Sequence, residues 1–60
     1  MKKEKFLKVY ANLPIKIREE IILVLDECGP ITWNVAFIEI SNETSIGKKI
    51  IKKLSDLKII

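Results

Sequence analysis

The chain of sixty residues contains a single cysteine, Cys28, and no histidine. It therefore cannot form an internal disulfide, and it lacks the usual ligands of a Cys/His zinc site. Chains this short bury a modest fraction of their surface and usually depend on such a cross-link or on a partner for stability. The fold must therefore come from packed apolar side chains, and we expect a homodimer.

The clearest pattern lies near the C-terminal end, where apolar residues and lysines recur with helical spacing. It predicts a helix over residues 45–57 with one apolar side and one lysine side. The predicted buried side consists of Ile46, Ile50, Leu54 and Leu57. The opposite side carries Lys48, Lys49, Lys52 and Lys53. Thr44 or Ser45 can cap this helix, because a hydroxyl oxygen accepts a free N–H of the first turn.

Two further helices are predicted earlier in the chain. Residues 3–12 carry apolar and aromatic side chains at helical spacing, and Pro14 follows them. Thr32 is a good cap for the next helix, which ends near Ser41. Its apolar side is formed by Trp33, Ala36, Phe37 and Ile40.

Residues 14–28 allow two interpretations. Pro14 suits the first turn of a helix, whereas Gly29 and Pro30 suit its end, so these signals favour a helix of about 14 residues. The alternative is a buried strand over residues 20–26 with a hairpin turn at Cys28, since an apolar run alone does not distinguish the two. We favour the helix, and the predicted fold class is all-α, a small bundle of three to four helices.

The order of these segments resembles the helix-turn-helix core of winged-helix-like transcriptional regulators, without the wing. Residues 29–32, Gly-Pro-Ile-Thr, resemble the step that begins the second helix in that family, and residues 54–60 resemble the end of its recognition helix. The similarity covers about residues 15–60. Two glycines usual in the family are absent, one in the turn between the helices and one at the position of Lys58. A weaker similarity to ribbon-helix-helix repressors leaves the third amphipathic segment unexplained.

A chain of this length forms one domain, over residues 1–60, with a basic helix or arm over 1–13 and the core over 14–60. The resemblance implies binding of duplex DNA by the last helix. Lysines bind phosphates as point charges, and polar residues at the start of the helix lie nearest the base edges. The candidate DNA-binding residues are Asn42, Thr44, Ser45, Lys48, Lys49, Lys52 and Lys53. Because the helix has no Arg, Asn or Gln for bidentate base contacts, we expect modest sequence specificity.

Other functions have weaker support in the sequence. The lysines could form an ordinary solvated helix face, and the chain could instead be a helical module that binds itself or another protein. We expect no enzyme, because there is neither a histidine base nor a glycine-rich phosphate loop. We expect no metal, cofactor or small-molecule ligand. The longest apolar run, residues 21–25, is too short to cross a membrane, and no signal peptide is evident, so the expected location is the cytoplasm.

Overall fold

The computed structural model describes residues 2–60 and contains both helices and strands. Its elements are helix α1 (Lys2–Ala11), a 3₁₀ turn (Ile17–Glu19), strands β1 (Ile21–Leu25) and β2 (Gly29–Thr32), and helices α2 (Trp33–Ser41) and α3 (Ser45–Asp56). The two strands form an antiparallel hairpin. The fold is therefore mixed α/β, and the predicted all-α class is wrong.

The error lies in residues 14–28, which form a turn and a hairpin in place of the predicted helix. The N–H groups of Ile17 and Arg18 bond to the Pro14 carbonyl, but this helical stretch ends at Glu20, which is extended. In the strand that follows, Leu23 and Leu25 are buried, and Val24 between them is exposed. Burial over these three residues alternates with the period of two that a strand requires, and the pairing with β2 shifts register between Ile21 and Leu23. The alternative interpretation as a strand is the correct one.

The glycine and proline that suggested a helix end serve the hairpin equally well. The Cys28 N–H donates to the Leu25 carbonyl at 3.3 Å, and Gly29 follows with a φ of 77°. This left-handed conformation costs glycine little, because it has no Cβ. Pro30 lies opposite Val24 in a non-hydrogen-bonded pair, so its missing N–H removes no hydrogen bond between β1 and β2.

A single core joins the helices to the inner face of the hairpin. Its buried members are Phe6, Leu23, Leu25, Ile31, Ala36, Ile40, Ile50 and Leu54. The Phe6 ring stacks against Trp33 with a centroid distance of 5.8 Å. The Tyr10 hydroxyl donates a hydrogen bond to Asn34 Oδ1 at 2.8 Å. Residues 2–11 therefore form a packed helix rather than a free arm.

The helices α2 and α3 begin where the sequence predicts. Thr32 Oγ1 accepts the Val35 N–H at 3.1 Å, and α2 ends at Ser41. Thr44 caps α3, which is one residue shorter than predicted. Its final turn closes with a left-handed Lys58, and the Ile59 N–H donates to the Leu54 carbonyl at 2.9 Å. Leu57 is the cap residue and is 56% exposed, so its predicted burial is wrong.

Candidate nucleic-acid interface

Helices α2 and α3 pack closely across a turn over residues 42–44, and Gly47 lies against the backbone at the end of α2. A Cβ placed on Gly47 would lie 2.7 Å from the Glu39 carbonyl carbon and 2.9 Å from the Ile40 nitrogen. The first turn of α3 therefore rests on the backbone at the end of α2. This contact fixes the direction in which the opposite face of α3 points.

Two of the polar residues predicted to approach DNA bases are engaged within the turn. Thr44 Oγ1 accepts the Gly47 N–H at 2.9 Å and donates to the Glu39 carboxylate at 2.7 Å. Asn42 Nδ2 donates to the Ile38 carbonyl at 3.0 Å. Thr44 thus links the start of α3 to α2, and Asn42 bonds back to α2 itself, which leaves Ser45 as the exposed hydroxyl at the start of α3.

The four lysines of α3 are all exposed, and together they define the lysine face: Lys48, Lys49, Lys52 and Lys53. The opposite side of the helix is buried through Gly47, Ile50 and Leu54. The lysine face and Ser45 extend over about 12 Å along the helix axis, since an α-helix rises about 1.5 Å per residue. The structure thus brings five of the seven candidate residues onto one open surface.

Two lysines of this face form ion pairs with neighbouring acids. Lys49 Nζ lies 3.0 Å from Glu27 Oε1 in the hairpin turn, and Lys52 Nζ lies 3.4 Å from Asp56 Oδ2. Within residues 2–60, Lys48 and Lys53 have no such partner. Exposed pairs of this kind contribute at most about 1 kcal/mol, so a phosphate group can replace either acid.

The fold brings Lys3 of α1, which is not among the seven candidate DNA-binding residues, beside the start of α3. Its Nζ lies 3.2 Å from Glu43 Oε2 in the turn between α2 and α3. Lys3 and Lys48 line the same surface depression, of about 110 Å³. Since the two lysines are far apart in the sequence, only the packing of α1 against α3 reveals that they are neighbours.

Within residues 2–60, the side chains do not assemble a group of three potential metal ligands. Each helix in the same range is too short or too polar to cross a membrane.

Comparisons with protein-family models, with curated proteins and with solved structures found no match. Any statement about function therefore depends on the residues and their geometry.

Proposed function

We propose that the chain binds duplex DNA through the lysine face of α3 and acts as a small accessory factor or regulator of transcription. The observation that carries the proposal is the orientation of this face. It lies on α3, the second helix of the pair that we interpret as a helix-turn-helix unit, and points away from the core in which Gly47, Ile50 and Leu54 are buried. Recognition helices in such units enter the major groove.

The chemistry of the face favours phosphate contacts over base contacts. Each lysine that meets a phosphate releases condensed counterions, which drives binding without reading sequence. The turn already uses the side chains of Asn42 and Thr44, so Ser45 is the remaining candidate for a base contact. We therefore expect weak sequence preference and a strong dependence on salt concentration.

Two related expectations belong to the proposal. Function on DNA suits the cytoplasm, where the lone thiol of Cys28 stays reduced. A homodimer would present two lysine faces and increase affinity through multivalency. Sedimentation of the chain with and without a short duplex measures whether two copies bind together.

The test replaces Lys48, Lys49 and Lys52 with glutamine in one variant and measures duplex binding by fluorescence anisotropy at several salt concentrations. Loss of three phosphate contacts should lower the slope of log affinity against log salt by about 2 to 3, since each contact contributes about 0.9. The helix should persist, because the substituted side chains are exposed and glutamine is a good helix former.

A matched control places the same three substitutions at Lys5, Lys8 and Lys16, which are exposed and lie outside α3. Both variants have the same net charge. The control should keep most of the affinity and most of the salt slope. Equal losses in the two variants would mean that net charge, rather than the lysine face, determines binding. Unchanged affinity in the α3 variant would refute the proposal.

A further inference from the structure

The two outer edges of the hairpin differ in their capacity to pair with another strand. On β2, Pro30 faces outward and has no N–H to donate, which protects that edge. On β1, the residue opposite Pro30 is Val24. Because Pro30 has no N–H, it and Val24 form a non-hydrogen-bonded pair. In such a pair of an antiparallel ladder, both residues direct their backbone groups away from each other. The Val24 N–H and carbonyl therefore point away from β2.

The side chains around this free edge are apolar and accessible. Val24 is 62% exposed and Ile21 is 59% exposed. Leu23 and Leu25 are buried on the inner face, so β1 itself is anchored in the core. An anchored strand with a free, apolar edge is suited to accept a further strand by backbone hydrogen bonding.

The charges at the two ends of β1 identify the kind of strand that fits. Glu19 and Glu20 precede the strand, and Asp26 and Glu27 follow it; all four are exposed. Glu27 is paired with Lys49, whereas the other three have no ion pair within residues 2–60. Arg18 is turned away, because its guanidinium lies over the Tyr10 ring at 4.4 Å. The free edge is thus apolar in the middle and acidic at both ends.

This pattern opposes pairing with a second copy. Two antiparallel β1 strands centred on Val24 would place Asp26 of one chain against Ile22 of the other and give no acid a basic partner. Centred on Leu23, they would place Glu20 of one chain against Asp26 of the other, and the reverse at the far end. Like charges directly opposite one another destabilise a sheet. A strand with apolar residues in the middle and basic residues at both ends has the complementary pattern.

We infer that the outer edge of β1 is a binding site for an extended, basic segment of a partner protein, which adds to the hairpin as a third strand. Val24 supplies the backbone donor and acceptor at the centre. Glu19, Glu20 and Asp26 select lysine or arginine at the ends of the segment.

The probe is a short synthetic peptide of alternating valine and threonine with a pair of lysines at each end. The comparison peptide carries glutamates in place of the lysines. Binding is followed by amide NMR of the protein. The lysine peptide should bind about tenfold more tightly, since a few exposed ion pairs together contribute about 1.4 kcal/mol. The difference should shrink at high salt. The Val24 amide should also exchange with solvent about tenfold more slowly in the complex.

Two variants locate the site. Val24→Pro removes the outward N–H without removing a hydrogen bond of the hairpin, as Pro30 already does on β2, and should abolish binding. Val24→Thr keeps the N–H and the branched shape, and should bind the peptide as the native chain does. NMR spectra of both variants show whether the hairpin is intact.

Three results would overturn the inference. The first is equal binding of the two peptides by the native chain, which would show that the acidic residues do not select a basic segment. The second is peptide binding that leaves exchange of the Val24 amide unchanged. The third is a dimer of the native chain, seen by sedimentation, that Val24→Pro dissociates, since this edge would then serve a second copy.

Discussion

Gly47 is the residue at which a single methyl group should most disturb the packing of α3 against α2. The side chain of Gly47→Ala would meet the backbone of Glu39 and Ile40 at distances that real Cβ atoms do not adopt. A flexible side chain could rotate out of the way, but backbone at the end of a helix cannot. Helices α2 and α3 would have to separate.

The expected cost follows from two opposing effects. Alanine is favoured over glycine inside a helix by about 1 kcal/mol. Overpacking against a rigid neighbour costs about 1–3 kcal/mol, and more where backbone must move. We expect a net destabilisation of about 2 kcal/mol, which lowers the Tm of a domain this small by about 8–16 °C. That loss is a large part of the stability of a short chain without a cross-link.

The assay is thermal and urea unfolding followed by circular dichroism. Lys52→Ala is a control in the same helix, and its exposed side chain predicts a small change. Gly29→Ala is a second control with open space around the added methyl but a φ of 77°, so it should cost about 1 kcal/mol through backbone strain alone. If Gly47→Ala were as stable as the native chain, the close contact between α2 and α3 would be refuted.

Two further substitutions test the end of α3 and the lysine face. Lys58→Gly should stabilise the chain by about 0.5–1 kcal/mol in urea unfolding, because Lys58 has a φ of 59° at a helix end where glycine is preferred. No gain in stability would indicate that Lys58 is unstrained. Glu27→Gln should release Lys49 and, if the lysine face binds DNA, increase duplex affinity by up to about fivefold, since the exposed pair is worth at most about 1 kcal/mol. The salt slope should change little, because Lys49 contacts a phosphate in both chains. An unchanged affinity would show that Lys49 does not reach a phosphate. The stability should change by less than about 1 kcal/mol, since the pair is exposed.

The helices α2 and α3 could be predicted from sequence because their boundaries are encoded locally. Thr32 and Thr44 each cap the helix that follows by accepting an N–H three residues on. The apolar residues within each helix recur at the helical period. Such signals need no information from distant parts of the chain, and both predicted starts are confirmed.

The hairpin could not be predicted as reliably, because the residues that form it are equally compatible with a helix. The run of five apolar residues at 21–25 lacks the alternation of apolar and polar residues that marks a strand with one solvent-exposed face. Gly29 and Pro30 can end a helix or build a hairpin. Burial distinguishes the two: Val24 is exposed between buried Leu23 and Leu25, but all three are apolar. Only tertiary packing makes that difference visible.

The candidate interface shows the same division between local and distant information. Helical spacing alone placed Lys48 and Lys52 on the exposed side of α3, and the structure agrees. Neither the pair between Lys49 and Glu27 nor the approach of Lys3 to the turn follows from spacing, because both depend on how separate elements pack. The internal bonds of Thr44 are a local feature, yet a capping residue and a base-reading residue look identical in sequence.

The pair between Lys49 and Glu27 also links the two proposed binding surfaces. Lys49 belongs to the lysine face, and Glu27 belongs to the acidic end of β1, so each charge partly neutralises the other. A phosphate bound at Lys49 would release Glu27 and make the β1 edge more attractive to a basic strand. A basic strand at Glu27 would in turn release Lys49. Because coupling between two sites is reciprocal, DNA and the strand should each strengthen binding of the other. The coupling free energy between the two sites cannot exceed the contribution of one exposed ion pair, about 1 kcal/mol.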